Sequence, residues 1–156
     1  MIEITVPGRG KFKIDHLVCD VNGTIALDGM LLDGVCEFFE RLSQKLTIHL
    51  LTANTHGLQN SIDHFLGIKA HIIQAGDEKG QKEAFVNGLK PAGVAAIGQG
   101  ANDSGMLKSA DIGIAVMAKE GLAVQTLLAS DIVVPDIIAA FELLEKPLRL
   151  TATMRL

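Results

Sequence analysis

The sequence predicts an α/β fold: a mostly parallel β-sheet between two helical layers, three-layer and Rossmann-like, with an amino-terminal β-hairpin. Two observations predict it. Short apolar strands alternate along the chain with segments of helical periodicity, and strands separated by helices imply a parallel sheet with helices on both faces. In addition, the apolar run Leu17-Val18-Cys19 stops abruptly at Asp20 and the turn Val21-Asn22-Gly23-Thr24. A carboxylate at the carboxyl end of a buried strand lies where open α/β sheets place their ligands.

The elements follow in order. Residues 2–6 and 11–20 are β-rich and flank Pro7-Gly-Arg-Gly10, so they form a hairpin leading into the central strand. Leu32, Val35, Phe38, Phe39 and Leu42 recur at helical spacing within 31–43. Thr47–Thr52 is a short apolar strand, and residues 55–66 form a helix with Leu58, Ile62 and Phe65 on one face. Residues 71–73 read as a strand, 78–89 as a helix, 94–97 as a small-residue strand and 101–109 as a helix. Strands at 112–116 and 131–134 and helices at 121–129 and 136–145 complete the alternation. The mildly basic tail, 146–156, is expected to be exposed or to pair at an oligomer surface, where Arg149 and Arg155 could reach a neighbouring subunit.

Bulk properties bound the function. A chain of 156 residues is one ordinary domain, 1–156, large enough for a real core. Hydrophobic content of 48% against 21% charged residues describes a globular protein, and a net charge of -4 argues against nucleic acid. No apolar run is long enough for a bilayer, so membrane insertion is not expected. No basic region followed by an apolar stretch marks a signal peptide, and Cys19 and Cys36 read as small buried hydrophobes in a reducing compartment. A cytoplasmic location is therefore expected.

Three further segments follow Asp20-Val-Asn22-Gly-Thr24. They are Leu51-Thr52-Ala53-Asn54-Thr55, then Gly76-Asp-Glu-Lys79-Gly-Gln-Lys82-Glu-Ala-Phe-Val86, then Ile97-Gly98-Gln99-Gly100-Ala-Asn102-Asp103 running on to Leu107-Lys-Ser-Ala-Asp111-Ile-Gly-Ile-Ala-Val116. In this order and spacing the four segments resemble the motifs of the haloacid dehalogenase superfamily. The last resembles the hinge segment of P-type cation ATPases, and the chain as a whole resembles the small soluble P-type ATPase-like members of that superfamily.

The resemblance implies a Mg²⁺-dependent phosphohydrolase or phosphotransferase. Asp20 would attack phosphorus and carry an aspartyl-phosphate. Mg²⁺ would be held by Asp20, the Asn22 carbonyl and Asp103, with Gln99 able to ligate through its amide oxygen. Lys82 would neutralise the phosphoryl group, and Gly23, Thr24, Thr52, Ala53 and Asn102 would surround its oxygens. Lys82 is preferred to Lys79 because its spacing to Val86 and Leu89 matches the P-type pattern. The substrate would be a small phosphorylated molecule or an acyl phosphate.

Two departures limit that chemistry. Asn22 stands where the phosphatases carry a second aspartate, and an amide neither protonates a leaving group nor activates water. General acid–base assistance is worth ~10²–10⁴-fold, so slow hydrolysis or a long-lived phosphoenzyme is expected. Gln99 replaces a carboxylate and should weaken the metal site. Both substitutions favour the alternative of a phosphate-binding or regulatory module without turnover, whereas Asp20, Thr52, Lys82 and Asp103 favour an enzyme.

Each motif also has a plainer reading. Asn22-Gly23 is a common turn pair. Gly98-x-Gly100 lacks the third glycine of a dinucleotide loop, where Asp103 stands. The histidines show no metal spacing; His49 reads as a core or edge residue and His56 could approach the substrate. Neither interval between motifs has room for a cap domain, which predicts an open, capless site and, by analogy with capless relatives, a homo-oligomer such as a tetramer.

Overall fold

The computed structural model describes residues 1–54 and 57–156. In chain order the strands are β1 (Ile2–Val6), β2 (Gly10–Ile14), β3 (His16–Asp20), β4 (Ala26–Leu27), β5 (Met30–Leu31), β6 (Thr47–Thr52), β7 (His71–Ile72), β8 (Val94–Gly98), β9 (Ile112–Val116) and β10 (Ile132–Val134). The helices are α1 (Val35–Ser43), α2 (Gln59–Leu66), α3 (Glu78–Gly88), α4 (Ser104–Ser109), α5 (Val124–Ala129), α6 (Ile137–Glu145) and α7 (Pro147–Met154).

Six strands form one parallel sheet in the order β10-β9-β8-β3-β6-β7, and β1 and β2 pair antiparallel as a separate hairpin. The strand β3 is central, with β6 on one side and β8 on the other. Side chains on its two faces enter two different cores. Leu17 and Cys19 pack with α1, α6 and α7 in the larger core, whereas Val18 packs with Val86 of α3 and with Met106 and Leu107 of α4 in the smaller one. This is the expected three-layer arrangement. After Asp20 the chain makes only the small β4–β5 flap before α1, so no cap interrupts the core there.

The strand expected over 11–20 is two strands. The amides of Asp15 and His16 both donate to the Gly93 carbonyl, at 2.9 and 3.0 Å, and the Thr47 amide donates to the Asp15 carbonyl at 2.9 Å. These bonds break the hairpin register at Asp15 and hand the chain to the large sheet. A Cβ on Gly93 would collide with the Lys13 carbonyl, so only glycine permits the approach. The helix expected from 101 begins instead as a 3-10 turn, Ala101–Asp103. The helices expected from 55, 31 and 121 begin at Gln59, Val35 and Val124; residues 55–56, including His56, lie outside the described residues.

The carboxyl tail, expected to be exposed or to pair at an oligomer surface, is a helix packed on the core. Leu150 and Met154 of α7 are buried, the Thr151 hydroxyl donates to the Thr5 carbonyl at 3.1 Å, and the Leu156 amide donates to the Pro7 carbonyl at 3.2 Å. Pro147 at the first turn starts the helix with its fixed φ. The tail thus covers the hairpin, whose Ile2, Ile4 and Val6 face inward. Both cysteines are free; burial pushes the Cys19 thiol up, with Asp20 adding to the effect, as suits a packed hydrophobe. Among the described residues no helix is long and apolar enough to cross a membrane.

His49 and His16 meet on the α3 face of the sheet, ring nitrogens 3.0 Å apart, with His71 beyond and Phe85 of α3 packed edge-on against His49. Burial, followed by the neighbouring His16 and His71, lowers the His49 pKa to about 4. The folded protein therefore takes up this proton later than the unfolded chain, so stability is full above about 6.5 and falls as the pH drops toward about 4. Urea midpoints compared at neutral and mildly acid pH should show that loss, and His49→Gln should reduce it. Gly93→Ala should cost about 1–3 kcal/mol in the same assay, because the new methyl overpacks a backbone carbonyl.

Candidate active site

The carboxyl ends of β3, β6 and β8 bring the predicted residues together. Because β6 and β8 flank β3 on opposite sides, the chain diverges at β3, and such a switch point opens a crevice above the strand ends. Asp20 ends β3, Thr52 ends β6, and Gln99 follows β8. Helix α3, started by Asp77, whose side chain accepts the Gly80 amide at 2.9 Å, carries Lys82 over the same edge.

Lys82 forms the centre. Its ammonium donates to Asp20 Oδ1 and Asp103 Oδ1, each at 2.6 Å, although the side chain is only 1% exposed. The other oxygens are also engaged. Asp20 Oδ2 accepts the Thr24 hydroxyl at 2.8 Å, and Asp103 Oδ2 accepts the Gln99 and Gly100 amides, both at 2.9 Å. Asp103 thereby shapes the 3-10 turn, and it packs so closely on Gly98 that a Cβ there would lie 2.6 Å from its carboxyl carbon. Lys79 is exposed and faces a groove shared with Glu83 and Lys108, away from Asp20.

Burial and then repulsion from Asp103 push the Asp20 pKa up, Lys82 and Thr24 pull the other way, and the balance leaves it raised to about 7. Burial alone would lower Lys82, but Asp20 and Asp103 outweigh it and hold its pKa above the usual lysine range.

Above Asp20 lies a cavity of about 190 Å³ lined by Asp20, Asn22, Ala53, Lys82, Gln99 and Asn102, and by Glu78 and Glu120. The Asn22 amide donates to Thr52 Oγ1 at 3.1 Å, and the Asn54 backbone amide donates to the same oxygen at 2.9 Å. Asn102 Nδ2 donates to Glu78 Oε2 at 2.7 Å. Gly23 and Thr24, expected around the phosphoryl oxygens, turn their amides inward instead, to the carbonyls of Ala26 and Val21. Their roles here are a left-handed turn at Gly23 (φ 79°) and the Thr24 hydroxyl on Asp20.

Two residues were missed by the sequence reading. Glu78 stands four positions before Lys82 on α3, a spacing that places both on one helix face and could have flagged it. Glu120 lies in the β9–α5 connection, where no motif marks it. Gln99 Nε2 sits 3.4 Å from both the Asn22 carbonyl and Glu120 Oε2. Among the described residues no cluster of three or more His, Cys, Asp or Glu forms a metal site by itself. The donors that do converge on the cavity are oxygens from mixed sources: the carboxylates of Asp20 and Glu120, the Asn22 carbonyl and the Gln99 amide. An all-oxygen set of this kind fits a hard divalent cation.

No protein-family model matches the chain. It is 45% identical over 84 residues to the uncharacterized protein MJ0073 of Methanocaldococcus jannaschii, a match spanning 51% of this chain and 90% of that one. It is 33% identical over 135 residues to the copper-transporting ATPase HMA5 of Oryza sativa, covering 81% of this chain and 13% of that much longer protein. In structure it resembles the 3-deoxy-D-manno-octulosonate 8-phosphate phosphatase of Moraxella catarrhalis, solved with magnesium and phosphate ions (TM-score 0.65, 20% identity, 89% of this chain and 90% of that one). At that identity the likeness is one of fold.

Replacing Lys82 by Met should destabilise the protein by about 3–5 kcal/mol in urea titrations, because two buried carboxylates would face each other without a counter-charge. The loss should shrink on acidification, as the carboxyls take up protons.

Proposed function

We propose that this chain, which belongs to the haloacid dehalogenase superfamily, is a slow Mg²⁺-dependent phosphohydrolase or phosphotransferase working through an aspartyl-phosphate on Asp20. The observation that carries this reading is Asp20 itself: a buried carboxylate at the end of the central strand, held by Lys82 and Thr24 at the floor of a polar cavity. A carboxylate oriented from two sides and open on a third is arranged for in-line attack on phosphorus.

In the first step an Asp20 oxygen forms a bond to phosphorus while the bond to the leaving oxygen breaks, and the leaving group departs with the electron pair. Only the ionised carboxyl attacks, and Lys82 favours that form and then faces the transferred phosphoryl group. The buried Thr52 hydroxyl accepts the Asn22 and Asn54 amides and keeps its own proton to donate to a phosphoryl oxygen. The Asn22 amide is too weak an acid to protonate a leaving group and too weak a base to take a proton from water. Leaving groups that need no proton, such as the carboxylate released from an acyl phosphate, are therefore favoured, and attack of water on the aspartyl-phosphate is slow. Asp20, the Asn22 carbonyl and Gln99 would hold Mg²⁺, whose chemistry is to neutralise phosphoryl charge and lower the Asp20 pKa; Asp103, expected as a further ligand, has both oxygens engaged by Lys82 and the Gln99 and Gly100 amides.

The substrate is a small phosphorylated molecule or acyl phosphate, acted on in a single capless domain. The flap leaves an apolar groove with Met30, Leu58 and Phe65 exposed along it, which supports assembly of identical copies over the open site. Light scattering should then report an oligomer.

Intact mass after mixing with acetyl phosphate and Mg²⁺ should show one persistent phosphoryl adduct in the wild type and none in Asp20→Asn. Absence of both adduct and phosphate release would overturn the enzymatic reading in favour of a binding module. Asn22→Asp should raise phosphate release by ~10²–10⁴-fold and shorten the life of the adduct, read by malachite green and by mass.

A further inference from the structure

The charge balance of the cavity is lopsided. Lys82, the one ammonium in its lining, is already paired with Asp20 and Asp103, and Glu78 and Glu120 add two further carboxylates to the lining. Such a pocket repels an anion and attracts a cation. Asp103 does not line the cavity, and both its oxygens are taken by Lys82 and two backbone amides. Gln99 contributes no charge. The carboxylate that faces the Gln99 side chain is Glu120.

Three features place Glu120 there. Its loop is closed by a Gly121 amide to Ala118 carbonyl bond at 2.9 Å, with Gly121 in the left-handed region (φ 95°). The same loop is clasped to Gln99, because the Ala123 amide donates to the Gln99 carbonyl at 2.9 Å. Gly23 makes room: a Cβ at that position would collide with both the Glu120 carboxylate and the Gln99 amide. Glu120 is thus built against the Asp20 turn from the β9–α5 connection, one hundred positions further along the chain.

Gln99 supplies the independent sign of a ligand. Its side chain is 8% exposed and aimed into the cavity, yet its Oε1 accepts no hydrogen bond among the described residues. Its Nε2 reaches two oxygens only at 3.4 Å, the long limit for a hydrogen bond. Turning the amide over exchanges Nε2 for Oε1 at almost no cost in shape. Three oxygens would then converge, from Asn22, Gln99 and Glu120, an arrangement unfavourable alone and favourable around a cation.

We propose that Glu120 is a cation ligand of this site, direct or through one water, and that it replaces the carboxylate missing at Gln99. The set for a hard divalent cation is then Asp20, the Asn22 carbonyl, Gln99 Oε1 and Glu120. The purpose of the cation rests on the phosphoryl-transfer reading above; its binding does not. Glu78 serves as the internal control, since it lines the same cavity but is tied to Asn102.

The test is titration of the full chain with Mn²⁺ alone, without phosphate, following the free-ion signal by electron paramagnetic resonance. The wild type should bind Mn²⁺, Glu120→Gln should weaken binding by about 10–100-fold, the loss typical of a disturbed metal site. Glu78→Gln should change it far less, and Gln99→Asp added to Glu120→Gln should restore it. Equal binding by wild type and Glu120→Gln overturns the proposal, as does an equal loss in Glu78→Gln, which would mean a general field, or no binding by the wild type. Glu120-dependent Mn²⁺ binding without any Asp20 adduct would sink the phosphoryl-transfer reading and leave this one standing. An Asp20 adduct with Mn²⁺ binding indifferent to Glu120 would do the reverse.

Discussion

A single buried ammonium organises this molecule. Lys82 is withdrawn from water and satisfied by two carboxylates at 2.6 Å. Withdrawing three charges together is tolerable only if each is met by a partner of good geometry, since burial penalises any of them left alone. The surrounding structure supplies that geometry. Asp20 is held at the end of the central strand, Asp103 is turned inward by the amides after β8, and α3 is docked through Val86 on the sheet face that carries both. Loosening any of these would expose the others to an unpaired charge.

That constraint divides the site into a rigid floor and an adjustable rim. On the floor, Asp20, Thr24, Lys82 and Asp103 use their oxygens and protons on one another. At the rim, Asn22, Gln99, Asn102, Glu78 and Glu120 meet through longer or more exposed contacts and surround the space a ligand would enter. The two amides that depart from the phosphatase pattern both stand on the rim. Under the proposed reading, substitution there would alter proton transfer and cation affinity while leaving the charges below undisturbed.

The elements farthest from the site perform a different task. The hairpin β1–β2 and helix α7 close the larger core, joined by backbone and hydroxyl bonds between the two ends of the chain. These elements lie on the side of the sheet opposite Lys82, where they protect apolar surface and leave the strand ends open.

Much of this was legible from the residues in order. Alternating periodicity identified the parallel sheet and its helices, because side-chain spacing reports directly which faces are buried. Asp20 could be picked out at the end of an apolar strand, and Thr52, Lys82 and Asp103 because the segments that carry them resemble the superfamily's motifs in order and spacing. What the chain order could not carry was proximity between segments without periodic or motif signal. The break at Asp15 depends on a carbonyl at Gly93, the helical tail on a hairpin at the other terminus, and the approach of Glu120 to Gln99 on the absence of a side chain at Gly23. Sequence alone determined the sheet, its helices and the carboxylate at its centre, because those follow from local patterns. Which carboxylates face the cavity was decided by the tertiary structure, because that depends on distances between loops that only the packed sheet defines.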